Sequence, residues 1–450
     1  MHLNKHDRPG QFWKNHTRRI LKALLALIVI GGVLYASVPE FRRRVDYIPI
    51  RIYMFFVEKK RAHQPMLLPT PVISAMRQPT CTTTVTTTPT PTETPTSIST
   101  MTPDHRSDAT ATAGPTATPT ETSIPTETST PTETPAPTGT PTPQHTKTLL
   151  DIHHLWQNWN NCGPANLAQV LHYYGDQSTQ DDVQQFTKPN KWDMNVSPHE
   201  LAAYVVNRGL NVIIRQGGQI GTLERFVDQQ IPVILETWCY PDEYGGGHYR
   251  TVIGYDETTQ ELITSDTQFG PNYRIAYDKQ YQEWTAFNWL YIVVYRPEQG
   301  ELVRRIIGPD MDDDLMYQHA LDMAQAQVNA NQDDPFAWFT VGTNYAAMGD
   351  YESAALAYDQ ARILGVPFRM LWYQFGAFET YIQVGRYQDV IDLATLNLNT
   401  VGNQEESHYY LGRALEALGN IEAAKSAYQK ALKFNPGFTP AIEALDNLSR

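Results

Sequence analysis

The sequence predicts a multidomain chain with an N-terminal transmembrane helix, a disordered linker, an α+β domain and an all-α repeat domain. An apolar stretch with a single charge occupies residues 20–38, and a tract rich in Pro and Thr occupies residues 79–148. Helix-like and then strand-like patterns fill residues 149–300, and helical repeats fill residues 314–450. At 450 residues the chain is also too long for one ordinary core.

The first element is a basic tail followed by an apolar span. Residues 1–19 carry several Lys and Arg side chains, and the only charged residue in the span 20–38 is Lys22. A helix over this span is about 28 Å long at ~1.5 Å per residue, close to the thickness of a bilayer core. Lys22 can extend to the headgroups. We favour an uncleaved anchor over a signal peptide cleaved near residues 36–38.

This anchor predicts where the rest of the chain lies. The basic tail is expected in the cytoplasm and the folded domains outside the cytoplasmic membrane. A juxtamembrane segment, residues 39–78, leads into the Pro/Thr linker of residues 79–148. The linker has almost no aliphatic side chains, so it cannot bury a core and is expected to be disordered and extended. The predicted localisation is therefore the cell membrane, with a single pass.

Composition excludes several classes of function. The net charge is −13, and the folded part has no basic segment with interleaved aromatics, which argues against a nucleic-acid partner. Three cysteines are too few for a disulfide framework. The His153–His154 pair is interpreted as a surface loop rather than a metal site. We expect neither a metal nor a cofactor.

The most informative motif is centred on Cys162. It stands in the segment Gln157-Asn158-Trp159-Asn160-Asn161-Cys162-Gly163-Pro164-Ala165-Asn166-Leu167, followed by an apolar helical pattern as far as Tyr174. The cysteine therefore begins a helix, and the partly positive helix N-terminus favours a thiolate. A thiolate in this position is a candidate nucleophile.

A hairpin downstream supplies the partners that a cysteine nucleophile needs. Strands are predicted over Val212–Ile214, Val233–Trp238, His248–Tyr255, Glu261–Asp266 and Trp289–Tyr295. A turn centred near Glu257 would place His248 directly opposite Asp266. Asp266 is then expected to accept the Nδ1 proton of His248, and His248 to take the thiol proton. Gln157 is expected to stabilise the oxyanion, and Gly245–Gly247 to leave an open approach for substrate.

Two further helices are predicted in this domain. Ser197 and Glu200 form a capping box for a helix that ends near Gly209, and Thr222 is expected to cap a helix that runs through Gln229.

Each candidate residue also has a simpler interpretation. Alone, Cys162 would be a small buried residue, His248 a surface histidine and Asp266 a turn former. Their order and the hairpin favour catalysis. Two alternatives stay open: a non-catalytic binding module, and acyl transfer to an amine in place of hydrolysis. Cys239 is interpreted as a buried packing residue, although a disulfide with Cys162 is conceivable outside the cell.

The domain from about 149 to 297 resembles the papain-like cysteine peptidases that process bacteriocins with double-glycine leaders. The resemblance rests on Gln157, on the Asn161–Leu167 segment, on Gly247-His248-Tyr249 and on Asp266. It implies proteolysis, with Cys162 as nucleophile, His248 as base, Asp266 as orienting group and Gln157 in the oxyanion hole. The chain departs from the family at Asn161, where an acidic residue is common, and at Thr267, where Pro is frequent. It also lacks the fused ATPase motif, so it resembles the stand-alone branch.

The C-terminal part is repetitive. The glycines Gly342 and Gly412 stand 70 residues apart, and the tyrosines Tyr358 and Tyr428 follow them at equal spacing. Gly376 marks a degenerate middle unit. The pattern resembles tetratricopeptide repeats, with two helices per ~34 residues. The resemblance implies binding of a peptide or protein partner.

Packing and binding positions can be assigned within the repeats. The three glycines are expected where helices cross, with Tyr345, Tyr358 and Tyr428 filling the space between them. The exposed binding residues are expected to be Asn344, Glu379 and Arg413. We expect flanking helices over 315–329 and 440–450, and we expect deletion of 314–450 to spare cleavage of small peptides.

Overall fold

The computed structural model describes residues 147–190, 192–239 and 245–450, together with Val29, Gly32, Val33, Ser37, Leu68 and Pro71. Val29, Gly32, Val33 and Ser37 are helical, and the remainder of the predicted span 20–38 lies outside the described residues. Within the described residues, no helix is long and apolar enough to cross a bilayer. The basic tail, the Pro/Thr linker up to residue 146 and nearly all of the juxtamembrane segment also lie outside them.

An antiparallel sheet forms the centre of the α+β domain. In the described part of the chain its strands are β1 (Lys147–Leu149), β2 (Asn211–Arg215), β3 (Val233–Cys239), β4 (Gly246–Asp256), β5 (Glu261–Asp266), β6 (Gly270–Ala276) and β7 (Tyr291–Tyr295). The strand order is β2-β7-β3-β4-β5-β6, and β1 pairs with the end of β4. The five predicted strands are confirmed, whereas β1 and β6 had no clear sequence signal.

Six helices of the described residues accompany this sheet. They are α1 (Cys162–Tyr173), α2 (Gln180–Thr187), α3 (Pro198–Val206), α4 (Ile220–Asp228), α5 (Tyr277–Thr285) and α6 (Gly300–Ile307). The Ser197–Glu200 capping box is confirmed, because each side chain accepts a hydrogen bond from the other residue's backbone N–H. The prediction for Thr222 is wrong, because α4 begins at Ile220 and its N-cap is Gln219, three residues before Thr222. Helices α2, α5 and α6 were not predicted.

Burial explains why α1 carries the site. Residues 163–171 of α1 are all buried, and the helix contacts β4 in the middle of the sheet. β3 is also buried along its whole length and contacts α5. The helix α1 is therefore held against β4, and so is the cysteine that begins it.

A helical array follows the α+β domain. In the described residues it consists of α7 (Asp313–Ala330), α8 (Pro335–Ala347), α9 (Tyr351–Leu364), α10 (Gly376–Gln383), α11 (Tyr387–Thr400), α12 (Glu405–Ala417), α13 (Ile421–Phe434) and α14 (Thr439–Asn447). The predicted flanking helices correspond to α7 and α14. A 3-10 turn over Phe368–Trp372 separates α9 from α10.

The predicted packing role of the repeat glycines agrees with the structure. A Cβ atom on Gly342 would lie 2.9 Å from Cδ1 of Tyr358, and one on Gly412 would lie 2.6 Å from Cδ1 of Tyr428. Both tyrosines are almost fully buried. Tyr345 is only half-buried, so it fills this space less completely than expected.

Of the three binding residues predicted in the repeats, Asn344 is wrong, and the roles of Glu379 and Arg413 stay a prediction. Asn344 is fully buried and exchanges two hydrogen bonds with Asn288 of the α+β domain, at 2.7 and 2.9 Å. Glu379 and Arg413 form an ion pair with each other between α10 and α12. These side chains therefore hold the array together and attach it to the neighbouring domain.

The two domains share one apolar cluster. It includes the buried residues of the sheet and those of α8 to α11, and only the end of the array forms a cluster of its own. Deletion of residues 314–450 would expose this shared surface. We expected cleavage of small peptides to survive this deletion, which assumes that the two domains pack separately. The shared cluster does not support that assumption.

The helix crossing at Gly412 gives a stability test. Gly412→Ala is expected to lower the free energy of unfolding by about 1–3 kcal/mol, because the added methyl group meets the buried Tyr428 ring. Gly221→Ala is the matched control. Gly221 lies in α4, where an added Cβ would have its nearest neighbour 3.8 Å away. Because Ala lowers the conformational entropy of the unfolded chain, Gly221→Ala should leave the free energy of unfolding unchanged or raise it by up to about 1 kcal/mol. Chemical denaturation measures both, and equal stabilities would contradict the packing role.

Candidate active site

Cys162 is the first residue of α1 and lies half-buried at its N-terminus. The backbone N–H of Tyr249, on β4, donates a hydrogen bond to the sulfur. The preceding Asn161 is fully buried, and its side-chain amide donates to Oε1 of Gln180 at 3.0 Å. The cysteine is thus held between the start of a helix and the edge of a strand.

The structure brings His248 and Asp266 together with this cysteine. Nε2 of His248 lies 2.9 Å from Oδ1 of Asp266, and the histidine side chain is hydrogen-bonded to Cys162. Because Nε2 is used by the carboxylate, the nitrogen that remains for the thiol is Nδ1. The predicted assignment of the two ring nitrogens is therefore wrong, although the three side chains are in contact.

The hairpin register also differs from the prediction. Thr251 pairs with Ser265, and a bulge at Ile253 shifts the register toward the turn. The strand position opposite Asp266 is therefore Arg250, and His248 lies diagonally, two residues further along the same face. The side chains of His248 and Asp266 still make contact, because a long side chain can reach its diagonal neighbour on the same face of a sheet.

Asp266 is fully buried and well supplied with partners. Its Oδ1 accepts hydrogen bonds from the backbone N–H groups of Gln268 and Phe269, at 2.9 and 3.0 Å, as well as from His248. Its Oδ2 lies 3.3 Å from Nε of Arg250. Burial by itself raises the pKa of Asp266, but the charges of His248 and Arg250 and these hydrogen bonds hold it well below its usual range.

The same contacts set the charges of the reactive pair. Burial raises the pKa of the Cys162 thiol, but the hydrogen bond and positive charge of His248 more than offset it, so the pKa is lowered. Burial lowers the pKa of His248, but the charge of Asp266 reverses this, so the pKa is raised well above its ordinary value. Both shifts favour a thiolate–imidazolium pair near neutral pH.

Gln157 lies in a buried chain of hydrogen bonds beside Asp266. Its backbone N–H donates to the carbonyl of Thr267 at 3.0 Å, and its Oε1 accepts from the Thr267 hydroxyl at 2.8 Å. The amide is therefore oriented, with Nε2 as its donating end. The Thr267 hydroxyl therefore positions Gln157.

A buried polar network behind the site was not predicted. Nδ2 of Asn166 donates to the Tyr249 carbonyl at 2.7 Å and to the Thr267 hydroxyl at 3.0 Å. Nε2 of Gln169 donates to the Thr251 hydroxyl and to the Ser265 carbonyl, both at 2.9 Å. These bonds fix α1 against β4 and β5. The available signal was two amide side chains three residues apart on the buried face of an apolar helix.

A small cavity beside Cys162 contains groups that the sequence reasoning missed. Its volume is about 20 Å³, and its lining includes Lys188, Glu236 and Tyr249. Burial lowers the pKa of Lys188, against the charges of Asp193 and Cys162, and burial raises the pKa of Glu236 well above its ordinary value. A lysine before a proline and an acid within a strand form no recognisable motif, so the sequence offered no signal for either.

The glycine approach to the cavity is not open. Gly247 lies under the ring of Tyr373, which also lines the cavity and comes from the repeat region. A Cβ atom on Gly247 would lie 3.0 Å from this ring. The expectation of an unobstructed approach along Gly245–Gly247 is therefore wrong for this conformation.

The remaining candidates have simpler roles. Cys162 and Cys239 are both free thiols in the described chain, and Cys239 is buried as expected. Burial raises the pKa of Cys239, which makes it the less reactive thiol. Nδ1 of His154 lies 2.9 Å from the Ser265 hydroxyl. Among the described residues, no group of three or more His, Cys, Asp or Glu side chains has the geometry of a metal site.

Comparisons with known proteins agree with the motifs. Residues 147–293 match the Peptidase_C39 like family, and residues 405–438 match the tetratricopeptide repeat. No curated protein matches the chain significantly.

Similar solved structures each cover about a third of this chain. The peptidase domain of Streptococcus ComA, a bi-functional ABC transporter involved in a quorum-sensing pathway, is 22% identical, with a TM-score of 0.26 over 34% of this chain and 99% of that chain. A C39-like peptidase from Bacillus anthracis is 17% identical, with a TM-score of 0.29 over 33% and 98%. MamA from Desulfovibrio magneticus RS-1 is 19% identical, with a TM-score of 0.27 over 30% and 74%. The predicted resemblance is confirmed: this chain combines a domain similar to the Peptidase_C39 like family with a tetratricopeptide repeat region.

Proposed function

We propose that this protein is a cysteine peptidase that hydrolyses peptide bonds with Cys162, His248 and Asp266. The observation that carries the proposal is the continuous hydrogen-bonded chain from the Cys162 sulfur through His248 to the buried carboxylate of Asp266. This chain supplies a charged nucleophile, a proton carrier and a fixed orienting group at one point. The match of residues 147–293 to a peptidase-like family supports the same chemistry.

The acylation step follows from these groups. The Cys162 thiolate attacks the carbonyl carbon of the substrate, and the electron pair of the C=O bond moves to oxygen. The backbone N–H of Cys162 and the side-chain amide of Gln157 donate hydrogen bonds to that oxyanion. The His248 imidazolium then transfers its Nδ1 proton to the leaving nitrogen, the C–N bond breaks, and a thioester remains on Cys162.

Deacylation runs the same groups in reverse. His248 is now neutral, and it removes a proton from a water molecule that attacks the thioester carbonyl. The second tetrahedral intermediate collapses, and the C–S bond breaks to release the carboxylic acid and the thiolate. Throughout, Asp266 holds the imidazole by its Nε2 and stabilises its positive charge.

We assign protein binding to the repeat region. Its match to the tetratricopeptide repeat supports a peptide or protein partner. The exposed apolar side chains Ile421 and Ile442 of the last helices are candidates for this surface, at 36% and 38% exposure. A protein target held there would be presented to a catalytic domain with which the array shares a core.

We further propose that the folded domains are tethered outside the cytoplasmic membrane. The basic residues 1–19, the apolar span 20–38 and the Pro/Thr tract 79–148 support this topology. In this arrangement the peptidase reaches substrates through a long, extended stalk.

The reactivity of the thiol is the first test. Cys162 should be alkylated by iodoacetamide at pH 6 on the order of 100-fold faster than Cys239, because an ordinary thiol is then well below 1% ionised. His248 carries a raised pKa, so its stabilising charge is present at pH 6 and is lost as the pH rises through that pKa. His248→Ala should slow the labelling of Cys162 at pH 6 far more than at pH 9, because an ordinary thiol is already largely ionised at pH 9 without a charged neighbour.

The labelling experiment has a matched control. His199 is an exposed histidine on α3, and His199→Ala should leave the rate and its pH dependence unchanged. Mass spectrometry of tryptic peptides assigns the modified cysteine. Equal rates at Cys162 and Cys239 in the unmodified protein would refute the peptidase mechanism.

Turnover separates the roles of the other two residues. Cys162→Ala and His248→Ala should abolish cleavage of a peptide library, and Asp266→Asn should lower kcat/KM by a smaller factor, because the carboxylate orients and does not react. Gln157→Ala should lower kcat by about 10²–10³ as an oxyanion donor is lost. Gln177→Ala removes an exposed amide and should have no effect. Full activity of both Asp266→Asn and Gln157→Ala would show that these assignments are wrong.

Membrane topology can be tested on intact cells that produce the full chain. Added protease should release a soluble fragment whose N-terminus lies within residues 79–148, since an extended Pro/Thr tract is open to cleavage. Immunoblotting and N-terminal sequencing identify the fragment. If the tract is protected in intact cells but cleaved after lysis, the folded domains lie in the cytoplasm and the tether proposal fails.

A further inference from the structure

We propose that Tyr373, a residue of the repeat region, is a gate residue of the catalytic cleft. In this conformation its ring fills the space that an extended peptide must enter to reach Cys162, and binding of substrate requires its displacement. The proposal rests on the peptidase function proposed above and adds to it a control of access that comes from the neighbouring domain.

The position of Tyr373 is the first argument. It follows the 3-10 turn Phe368–Trp372 and lines the cavity that contains Cys162. Its ring packs against Trp238 and Phe287, with centroids 6.2 and 6.0 Å apart. Its hydroxyl accepts a hydrogen bond from the backbone N–H of Gly247. The tyrosine therefore lies directly against the strand that leads into His248.

The free volume is the second argument. The cavity beside Cys162 measures about 20 Å³, enough for about one water molecule. Attack on a peptide requires its carbonyl carbon within about 3–3.5 Å of the sulfur, with chain continuing on both sides. Only 2% of His248 is exposed, so the catalytic pair is closed to a peptide in this arrangement.

The repeat region contributes a side chain to the cover of the cleft at this point. Gly246 and Gly247 have no side chains. A Cβ on Gly246 would lie 3.6 Å from the Tyr373 hydroxyl, and one on Gly247 would lie 3.0 Å both from the Tyr373 ring and from Cζ of Phe287 in the α+β domain. Loss of the Tyr373 ring would remove the part of this cover that comes from the repeat region and would leave Phe287 in place. Among the described residues that line the cavity, Tyr373 is the side chain through which the repeat region narrows this approach.

The gate is attached to the rest of the repeat region and to both sides of the cleft. Nη1 of Arg369 donates to the Gly245 carbonyl at 2.8 Å, next to the gate. On the other side, Nδ2 of Asn195 donates to Oε1 of Glu406 at 3.2 Å, and Glu406 belongs to α12. A displacement of the array relative to the α+β domain would therefore move the gate.

Two probes with the same reactive group test the proposal on the full chain. Iodoacetamide is small, and fluorescein iodoacetamide carries a bulky aromatic group. The readout is the ratio of their second-order rate constants at Cys162, bulky over small. Tyr373→Ala should raise this ratio on the order of tenfold, because it removes the ring together with the two aromatic contacts that hold the ring over the cleft. Tyr373→Phe keeps the ring and should stay within about twofold of the unmodified protein.

Tyr345→Ala is the matched control, since it removes a half-buried repeat tyrosine that does not line the cavity. Its ratio should not change. Arg369→Gln provides a second route to the same result, because it removes the bond to the Gly245 carbonyl while leaving the tyrosine in place. It should also raise the ratio, and it replaces Tyr373→Ala as the deciding variant if circular dichroism shows that the alanine variant is unfolded.

An unchanged ratio in a folded Tyr373→Ala variant, or in Arg369→Gln if the alanine variant does not fold, overturns the gate. This outcome is distinct from failure of the proposed peptidase function, which is judged by the absolute labelling rate of Cys162 against Cys239 and by peptide turnover. A slow thiol with a ratio that rises in Tyr373→Ala would keep the gate and reject the catalytic mechanism.

Discussion

The candidate site depends on one buried charge, the carboxylate of Asp266. Removing an ion from water costs several kcal/mol even after relaxation, so this group can stay ionised only if nearby charges and hydrogen bonds compensate for that cost. Its Oδ1 accepts hydrogen bonds from His248 and from the backbone N–H groups of the turn that follows β5. Its Oδ2 forms an ion pair with Arg250. Pairing of the carboxylate fixes the imidazole, and the imidazole in turn sets the charge of Cys162.

The position of Asp266 is a property of the sheet. β5 ends at this residue, and Asp266 pairs with Gly270 at the start of β6, so the backbone N–H groups of the intervening turn point back at the carboxylate. The bulge at Ile253 sets the register that places Arg250 opposite and His248 diagonally across. A shift of one residue would turn these side chains to the other face of the sheet.

The helix that carries the nucleophile is positioned by polar contacts as well as by apolar packing. Asn166 and Gln169 are fully buried, and buried amides lose free energy unless their hydrogen bonds are made. Their partners lie on β4, on β5 and in the turn after β5. Apolar packing alone tolerates small shifts of a helix, whereas all the hydrogen bonds of this network are made in one arrangement of the helix. In that arrangement Thr267 also orients Gln157.

The repeat region belongs to the same structural unit as the site. Aromatic packing of Trp238 and Phe287 against Tyr373 joins the two domains beside the cleft, and the Asn288–Asn344 pair joins them further away. An array that shares a core with a peptidase domain can influence it through packing, because shared cores move as units and do not deform continuously. The same packing joins the repeat region to a side chain that lines the cavity beside Cys162.

The sequence by itself determined the local features: the helix that begins at Cys162, the capping box at Ser197, the strands of the central hairpin and the crossings at Gly342 and Gly412. These follow from periodicity, caps and small residues, which act over a few neighbouring positions. It also brought His248 and Asp266 onto one hairpin. The tertiary structure alone decided the bulge, the use of Nε2 for the carboxylate, the cavity with Lys188 and Glu236, and the placement of Tyr373 over Gly247. These depend on contacts between residues far apart in the chain, where burial and packing, not local pattern, select the arrangement.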